Sequence, residues 1–208
     1  MKTEYQLDLT SWVSLMQKVE MWFPVAIYSA DDIISQEQNN ALKDRCIAIQ
    51  NKTPSGGAEW LGGTYNTHQT HDLSNDIEFK PVLEAVSTHV HRFAKMHNSN
   101  GVYTNNYSWM NISKAGDWQE FHTHNANVFS AVYYVSAPEG SGRILFEDPK
   151  EPDMFPLKSI PQKNQLSYTR IHYTPVPGLL LIFRSYLRHL VEPGTNTEPR
   201  ISIALNFS

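Results

Sequence analysis

At 208 residues, with 40% hydrophobic and 18% charged side chains, the sequence has the make-up of a globular chain able to bury a core unaided. Its one cysteine, Cys46, excludes an intrachain disulfide and suits a reducing, cytoplasmic setting. A net charge of -4 without a basic run argues against a nucleic-acid surface, and the apolar run Met21 to Ile27, interrupted by Pro24, is far shorter than the ~20 residues of a membrane-spanning helix.

Met1 to Thr10 is polar and acidic, unlike a secretory leader. Asp31 and Asp32 can cap a helix running to about Ile49, with Ile34, Leu42 and Cys46 on its apolar positions. From Asn51 to His71 the chain is rich in Gly, Thr and Asn and reads as a loop, with Trp60 and Tyr65 as anchors. Asn75 or Asp76 caps a second helix with Pro81 near its start, and Val82, Val86, Val90, Phe93 and His97 share one face at helical spacing.

After Asn100 the period changes to two. The expected strands are Tyr103 to Ile112, Gln119 to His124, Val128 to Ser136, Arg143 to Phe146, Ser167 to Tyr173, Leu179 to Phe183 and Arg200 to Phe207. Seven or eight such strands would close a jelly-roll-like barrel. The stretch holding Pro149, Pro152, Pro156 and Pro161 reads as a long loop, because strands continue on both sides. The whole reads as one α+β domain, with residues 1–100 as helical support and loop and residues 101–208 as the β core.

Histidine is the unusual component, with nine copies. His122 and His124 sit two apart in a strand-like segment, so both imidazoles project from one face and can converge on a metal. A bare His-x-His also fits hydrogen-bonded surface histidines, but three other features bear on it. The C-terminal strand puts Ile201, Ile203, Leu205 and Phe207 on one face and Arg200, Ser202, Ala204 and Asn206 on the other. Arg200 beside Ser202 makes a carboxylate clamp, since a guanidinium bonds bidentately and a hydroxyl adds a donor. His189 follows the apolar strand Gly178 to Phe183 after a short turn, and Ser130, Val132 and Tyr134 share a face. His68 and His71 read as polar-loop residues, and His89 and His91 point in different directions on a helix. Gly56-Gly57 and Gly62-Gly63 lack a phosphate-loop context, and no nucleophile elbow is present.

The order of these motifs resembles the 2-oxoglutarate/iron(II) oxygenases, a superfamily that includes prolyl hydroxylases and nucleic-acid dealkylases. Trp109-Met110-Asn111, Gly116-Asp117, His122-Thr123-His124, Val132-Tyr133-Tyr134-Val135, Pro177-Gly178, His189 and Arg200-Ile201-Ser202 are similar to a group of such oxygenases met in phage and marine bacterial genomes. A weaker match around Trp60 to Leu73 extends the resemblance to most of the chain beyond Trp22. The resemblance implies a double-stranded β-helix, cupin-like, with the N-terminal helices packed on the barrel.

It further implies that His122 and His189 bind the metal, and that Arg200 with Ser202 binds the distal carboxylate of 2-oxoglutarate. Tyr134 matches a tyrosine that assists that carboxylate in prolyl hydroxylases, and Asn111 resembles an asparagine that contacts 2-oxoglutarate in dealkylases. His124 stands where the superfamily usually has an acid. Three arrangements are open there: a three-histidine site, an acid from elsewhere such as Glu147 or Asp148, or two histidines alone. A shifted register would instead make His124 the first ligand and put Ala126 at the acid position, as in iron halogenases.

The expected activity is an Fe(II)- and 2-oxoglutarate-dependent dioxygenase that hydroxylates an unactivated carbon and releases succinate and CO2. The rivals are a three-histidine dioxygenase that needs no keto acid and a non-catalytic jelly roll. A small-molecule or peptide substrate is expected, a membrane or nucleic acid is not, and the sequence is compatible with a homodimer.

Overall fold

The computed structural model describes residues 21–56, 60–150 and 157–208. The polar N-terminus and Pro152 and Pro156 of the proline-rich stretch lie outside them. Among the described residues no helix is long and apolar enough to cross a membrane.

Helix α1 spans Gln36–Gln50 and α2 spans Lys80–Met96. The first starts later than Asp31 and Asp32 would place it. Ser35 is its cap, with a reciprocal box in which the Ser35 hydroxyl accepts from the Gln38 N–H and the Gln38 side chain accepts from the Ser35 N–H. Asp32 has φ 49°, and a Cβ on Gly178 would come within 2.7 Å of its carboxylate. Gly178 has φ 87° as well, so a side chain there would be strained in two ways. Asp76 does cap, but it caps a 3-10 turn, Ile77–Phe79, that leads into α2. On α2 the residues Val82, Val86, Val90 and Phe93 are buried as the spacing predicts, whereas His97 falls at the C-terminal cap and is exposed.

The strands are β1 Ile27–Ala30, β2 Tyr65–Asn66, β3 Asn105–Ser113, β4 Gln119–His122, β5 Phe129–Ser136, β6 Ile144–Glu147, β7 Arg170–Tyr173, β8 Leu180–Arg184, β9 His189–Val191 and β10 Arg200–Phe207. They form two antiparallel sheets, ordered β1-β8-β5-β10-β3-β2 and β4-β9-β6-β7. Three of them, β1, β2 and β9, are absent from the sequence reading. β2 and β9 have two and three residues, too few to display a period of two, and β1 has four.

Strand β10 lies between β5 and β3, and its alternation sorts the interior. Ile201, Ile203, Leu205 and Phe207 are fully buried in one apolar cluster with Leu42, Cys46, Val86 and Phe93 of the two helices. Tyr133 ties α1 to this sheet, since its hydroxyl donates to Asn39 Oδ1 at 2.9 Å while Asn39 Nδ2 donates to the Val135 carbonyl at 3.0 Å. A second cluster, with Val132, Tyr134, Ile144, Phe146, Leu181 and Phe183, draws on both sheets. Ile203 is 0% exposed at the centre of the large sheet, so Ile203→Ala should lower stability by about 2–5 kcal/mol through lost burial and a cavity. A urea midpoint close to that of the unaltered chain would contradict this placement.

Candidate metal and carboxylate site

The cavity between the sheets is lined by side chains of both, among them Asn111, His122, His124, His189, Arg200 and Ser202. His122 on β4 and His189 on β9 are register partners across an antiparallel pair, and their ring centroids lie 4.2 Å apart. The pairing shifts between Gln119 and His122, so that an additional β4 residue is accommodated and Gln119 and His122 both line the cavity. Phe121 instead lies under the guanidinium groups of Arg188 and Arg170, at 4.5 and 5.7 Å from its ring centre.

Strand β4 ends at His122, so His124 is not a strand residue as the sequence suggests. A backbone bond from its N–H to the Ser185 carbonyl, 3.0 Å, holds it instead. Its ring centroid lies 5.1 Å from that of His122 and 5.2 Å from that of His189. One nitrogen from each imidazole falls within 4.8 Å of the others.

The tautomers of two rings follow from their neighbours. His122 Nδ1 is 2.8 Å from the Glu120 carbonyl and His189 Nδ1 is 2.9 Å from the Leu187 carbonyl. A carbonyl only accepts, so each Nδ1 carries the hydrogen and each Nε2 keeps a free lone pair. Burial pushes all three imidazoles towards the neutral form. His124 falls to about 4 through burial and the nearby His122, and burial also lowers His122 and takes His189 well below the usual histidine value. Neutral imidazoles with bare nitrogens are a metal-ligand set rather than a set of cations.

No carboxylate joins the cluster among the described residues. Glu147 is engaged by Arg170 at 2.7 Å and Arg188 at 2.9 Å, and Asp148 accepts from the Lys150 N–H. Ala126, the acid position of the shifted register, has φ 65° in the turn after His124 and is exposed.

Beside the histidines lies a row of polar side chains, set where the β10–β5 pairing shifts register between Ile201 and Ser202. Ser202 of β10 pairs with Asn111 of β3 on one side and Tyr134 of β5 on the other, with Arg200 one step along the same face. Arg200 is 3% exposed, bonds Ser202 Oγ at 3.3 Å and stands 5.0 Å over the Tyr134 ring. It has no carboxylate partner among the described residues. Arg200 Nε, the Tyr134 hydroxyl and Asn111 Oδ1 are all buried without a hydrogen-bond partner. Burial raises the Tyr134 pKa, which keeps the phenol protonated as a donor. A buried guanidinium left unpaired is expensive, and an arriving carboxylate would remove that cost.

Residues 107–206 match the family model described as "Putative 2OG-Fe(II) oxygenase". Over this region the chain is similar to the 2OG-Fe(II) oxygenase family. Solved structures agree on the fold. A prolyl-4-hydroxylase from Pseudomonas putida superposes with TM-score 0.63 at 14% identity over 88% of this chain and 92% of that one. Viral collagen prolyl hydroxylase from Paramecium Bursaria Chlorella virus-1, in a 2OG complex, gives 0.55 at 13% identity over 87% and 94%. HygX from Streptomyces hygroscopicus, with nickel, 2-oxoglutarate and hygromycin B bound, gives 0.60 at 11% identity over 88% and 83%. No curated protein matches the sequence.

One residue near the site was missed by sequence. His68, read as an ordinary loop residue, packs edge-on against Trp109 at 5.2 Å and Tyr107 at 4.6 Å, and Trp109 in turn lies 5.8 Å from His124. Its loop is fixed by Gly62, where a Cβ would stand 1.7 Å from the Trp118 carbonyl oxygen. A Gly-Gly pair in a polar stretch signals such an approach only once the partner strand is known.

The depressed pKa of His124 sets a pH dependence. Below pH 6.5 the unfolded chain protonates this imidazole while the folded chain does not until about 4, so the unfolded state binds more protons in that window. Stability contributed by neutral His124 is therefore present above pH 6.5 and lost as pH falls towards 4. In the metal-free protein His124→Gln should flatten the decline of the urea midpoint between pH 6.5 and 4.5. An unchanged slope would mean that His124 is not desolvated.

Proposed function

We propose that this protein is an Fe(II)- and 2-oxoglutarate-dependent dioxygenase that hydroxylates an unactivated carbon of a small-molecule or peptide substrate. The observation that carries the proposal is the buried Arg200, without a carboxylate partner among the described residues, next to the register-matched Ser202, Tyr134 and Asn111 and beside three neutral imidazoles. The two sheets are then the halves of a double-stranded β-helix within one domain, with α1 and α2 as its support.

His122, His124 and His189 would hold the iron, and their donor set fits it: two imidazoles have bare Nε2 atoms and none is protonated at neutral pH. Bound there, iron supplies the activation of dioxygen that no side chain of the chain can provide. In the balanced reaction one oxygen atom of O2 enters the succinate carboxylate, CO2 leaves, and the other oxygen converts a substrate C–H to C–OH. The chain's own part is positioning. Arg200 and Ser202 bind the distal carboxylate, the Tyr134 phenol donates to it, and Asn111 steadies the cosubstrate from the neighbouring strand. Val132, Ile144 and Phe183 line the cavity with apolar surface that excludes water from the reacting centre.

Among the described residues the histidine cluster holds no acid, which favours one rival, a three-histidine dioxygenase that consumes O2 without a keto acid. Oxygen uptake and succinate by the Fe(II)-loaded protein, with and without 2-oxoglutarate, separate the two. Uptake that requires 2-oxoglutarate and yields equimolar succinate is expected; uptake of equal rate without it would establish the rival. Arg200→Lys keeps the charge but loses the fork, so the half-saturating 2-oxoglutarate concentration should rise roughly tenfold or more, the loss of a bond between charged groups. Unchanged saturation would remove Arg200 from cosubstrate binding.

A further inference from the structure

The third histidine raises a question of protonation that the other two do not. His124 Nδ1 faces neither a backbone carbonyl nor an acid; it faces the Asn206 carboxamide, whose Nδ2 stands 3.4 Å away. Asn206 is 8% exposed on β10, one alternate position beyond the cavity-lining Ala204. Its Oδ1 accepts from Ser130 Oγ at 2.8 Å, and Ser130 Oγ lies 2.8 Å from Ser185 Oγ. Both serines are 1% exposed. Ser185 also supplies the carbonyl that holds the His124 N–H. Ser130 and Asn206 are register partners, so the network is fixed by the pairing of β5 with β10.

With the amide NH2 towards Nδ1, that nitrogen accepts and the hydrogen of neutral His124 must sit on Nε2. A protonated Nε2 has no lone pair for a metal. Turned by half a rotation, the carboxamide fills the same volume but offers its oxygen to Nδ1–H. Its NH2 then donates to Ser130 Oγ, whose hydrogen can point to Ser185 Oγ. Rotation of the Ser130 hydroxyl serves either arrangement, and only the second leaves His124 Nε2 bare.

Resting on the metal reading above, we propose that Asn206 is a positioning residue which sets the tautomer of His124. Its carboxamide, backed by Ser130 and Ser185, turns its oxygen to Nδ1–H when a metal binds and so completes a three-histidine site without an acid. Partners of a ligating imidazole's second nitrogen fix its tautomer and orientation, and their loss weakens metal binding 10–100-fold in other sites.

The test uses Zn(II), which is diamagnetic, on the full chain. Zn(II) affinity is measured by competition for the wild type, Asn206→Leu and Asn206→Asp, and the protonated nitrogen of His124 is read by 15N NMR in the Zn(II)-loaded wild type. Asn206→Leu should bind roughly 10–100-fold more weakly. Asn206→Asp, whose carboxylate can only accept from Nδ1–H, should stay near wild-type affinity, a rescue that a merely space-filling role would not produce. The NMR spectrum should show hydrogen on Nδ1. Wild-type affinity in Asn206→Leu, or a His124 Nδ1 without hydrogen in the loaded protein, would overturn the inference. If Asn206→Leu fails to fold, the Asn206→Asp affinity and the wild-type spectrum still decide it. A wild-type chain that does not bind Zn(II) at all would instead overturn the metal reading on which the inference rests.

Discussion

Strand β10 carries the constraint on which the rest depends. Its odd positions are large and apolar and face the helices, while Arg200, Ser202 and Ala204 line the cavity. A register slip of one residue would turn Arg200 and Ser202 towards the apolar cluster under the helices and turn four large apolar side chains towards the cavity. The helices therefore do more than cover a face. By burying Ile201, Ile203, Leu205 and Phe207, they fix the row in which Ser202 meets Asn111 and Tyr134.

The electrostatics of the cavity follow from what is missing. Three neutral imidazoles contribute no charge, and Arg200 contributes one positive charge with no acid to meet it among the described residues. A divalent metal held there would make the cavity strongly positive, and a dicarboxylate would bring it back towards neutrality. An acid-bearing site would start one charge lower. With His124 in place of that acid, the proposed site would depend on its cosubstrate for charge balance, which favours metal and dicarboxylate binding together over either alone.

Much of this was legible in the chain, for identifiable reasons. β10 and α2 show clean periods over 8 and 17 residues, long enough for alternation and helical spacing to be read. The histidine pair, His189 and the Arg-x-Ser step were visible because each is a polar residue at a fixed offset from an apolar strand. What escaped were features set by partners distant in sequence. The register shift in β4 depends on β9, itself only three residues long. His68 packs on the cavity-lining Trp109, and Gly62 lets its loop lie against Trp118. Asn206 read as one more polar position of β10, since nothing local shows that Ser130, Ser185 and His124 converge on it.

In the proposed site three histidines, with no acid among the described residues, hold a metal beside a guanidinium reserved for a dicarboxylate. Anomalous diffraction from crystals soaked without oxygen in Mn(II) and 2-oxoglutarate tests it most directly. The account predicts one metal peak bonded to nitrogens of His122, His124 and His189, with the far carboxylate of the cosubstrate on Arg200 and Ser202. A metal bound by only two of these histidines, one that recruits a carboxylate side chain, or a cosubstrate that leaves Arg200 unpaired would contradict it.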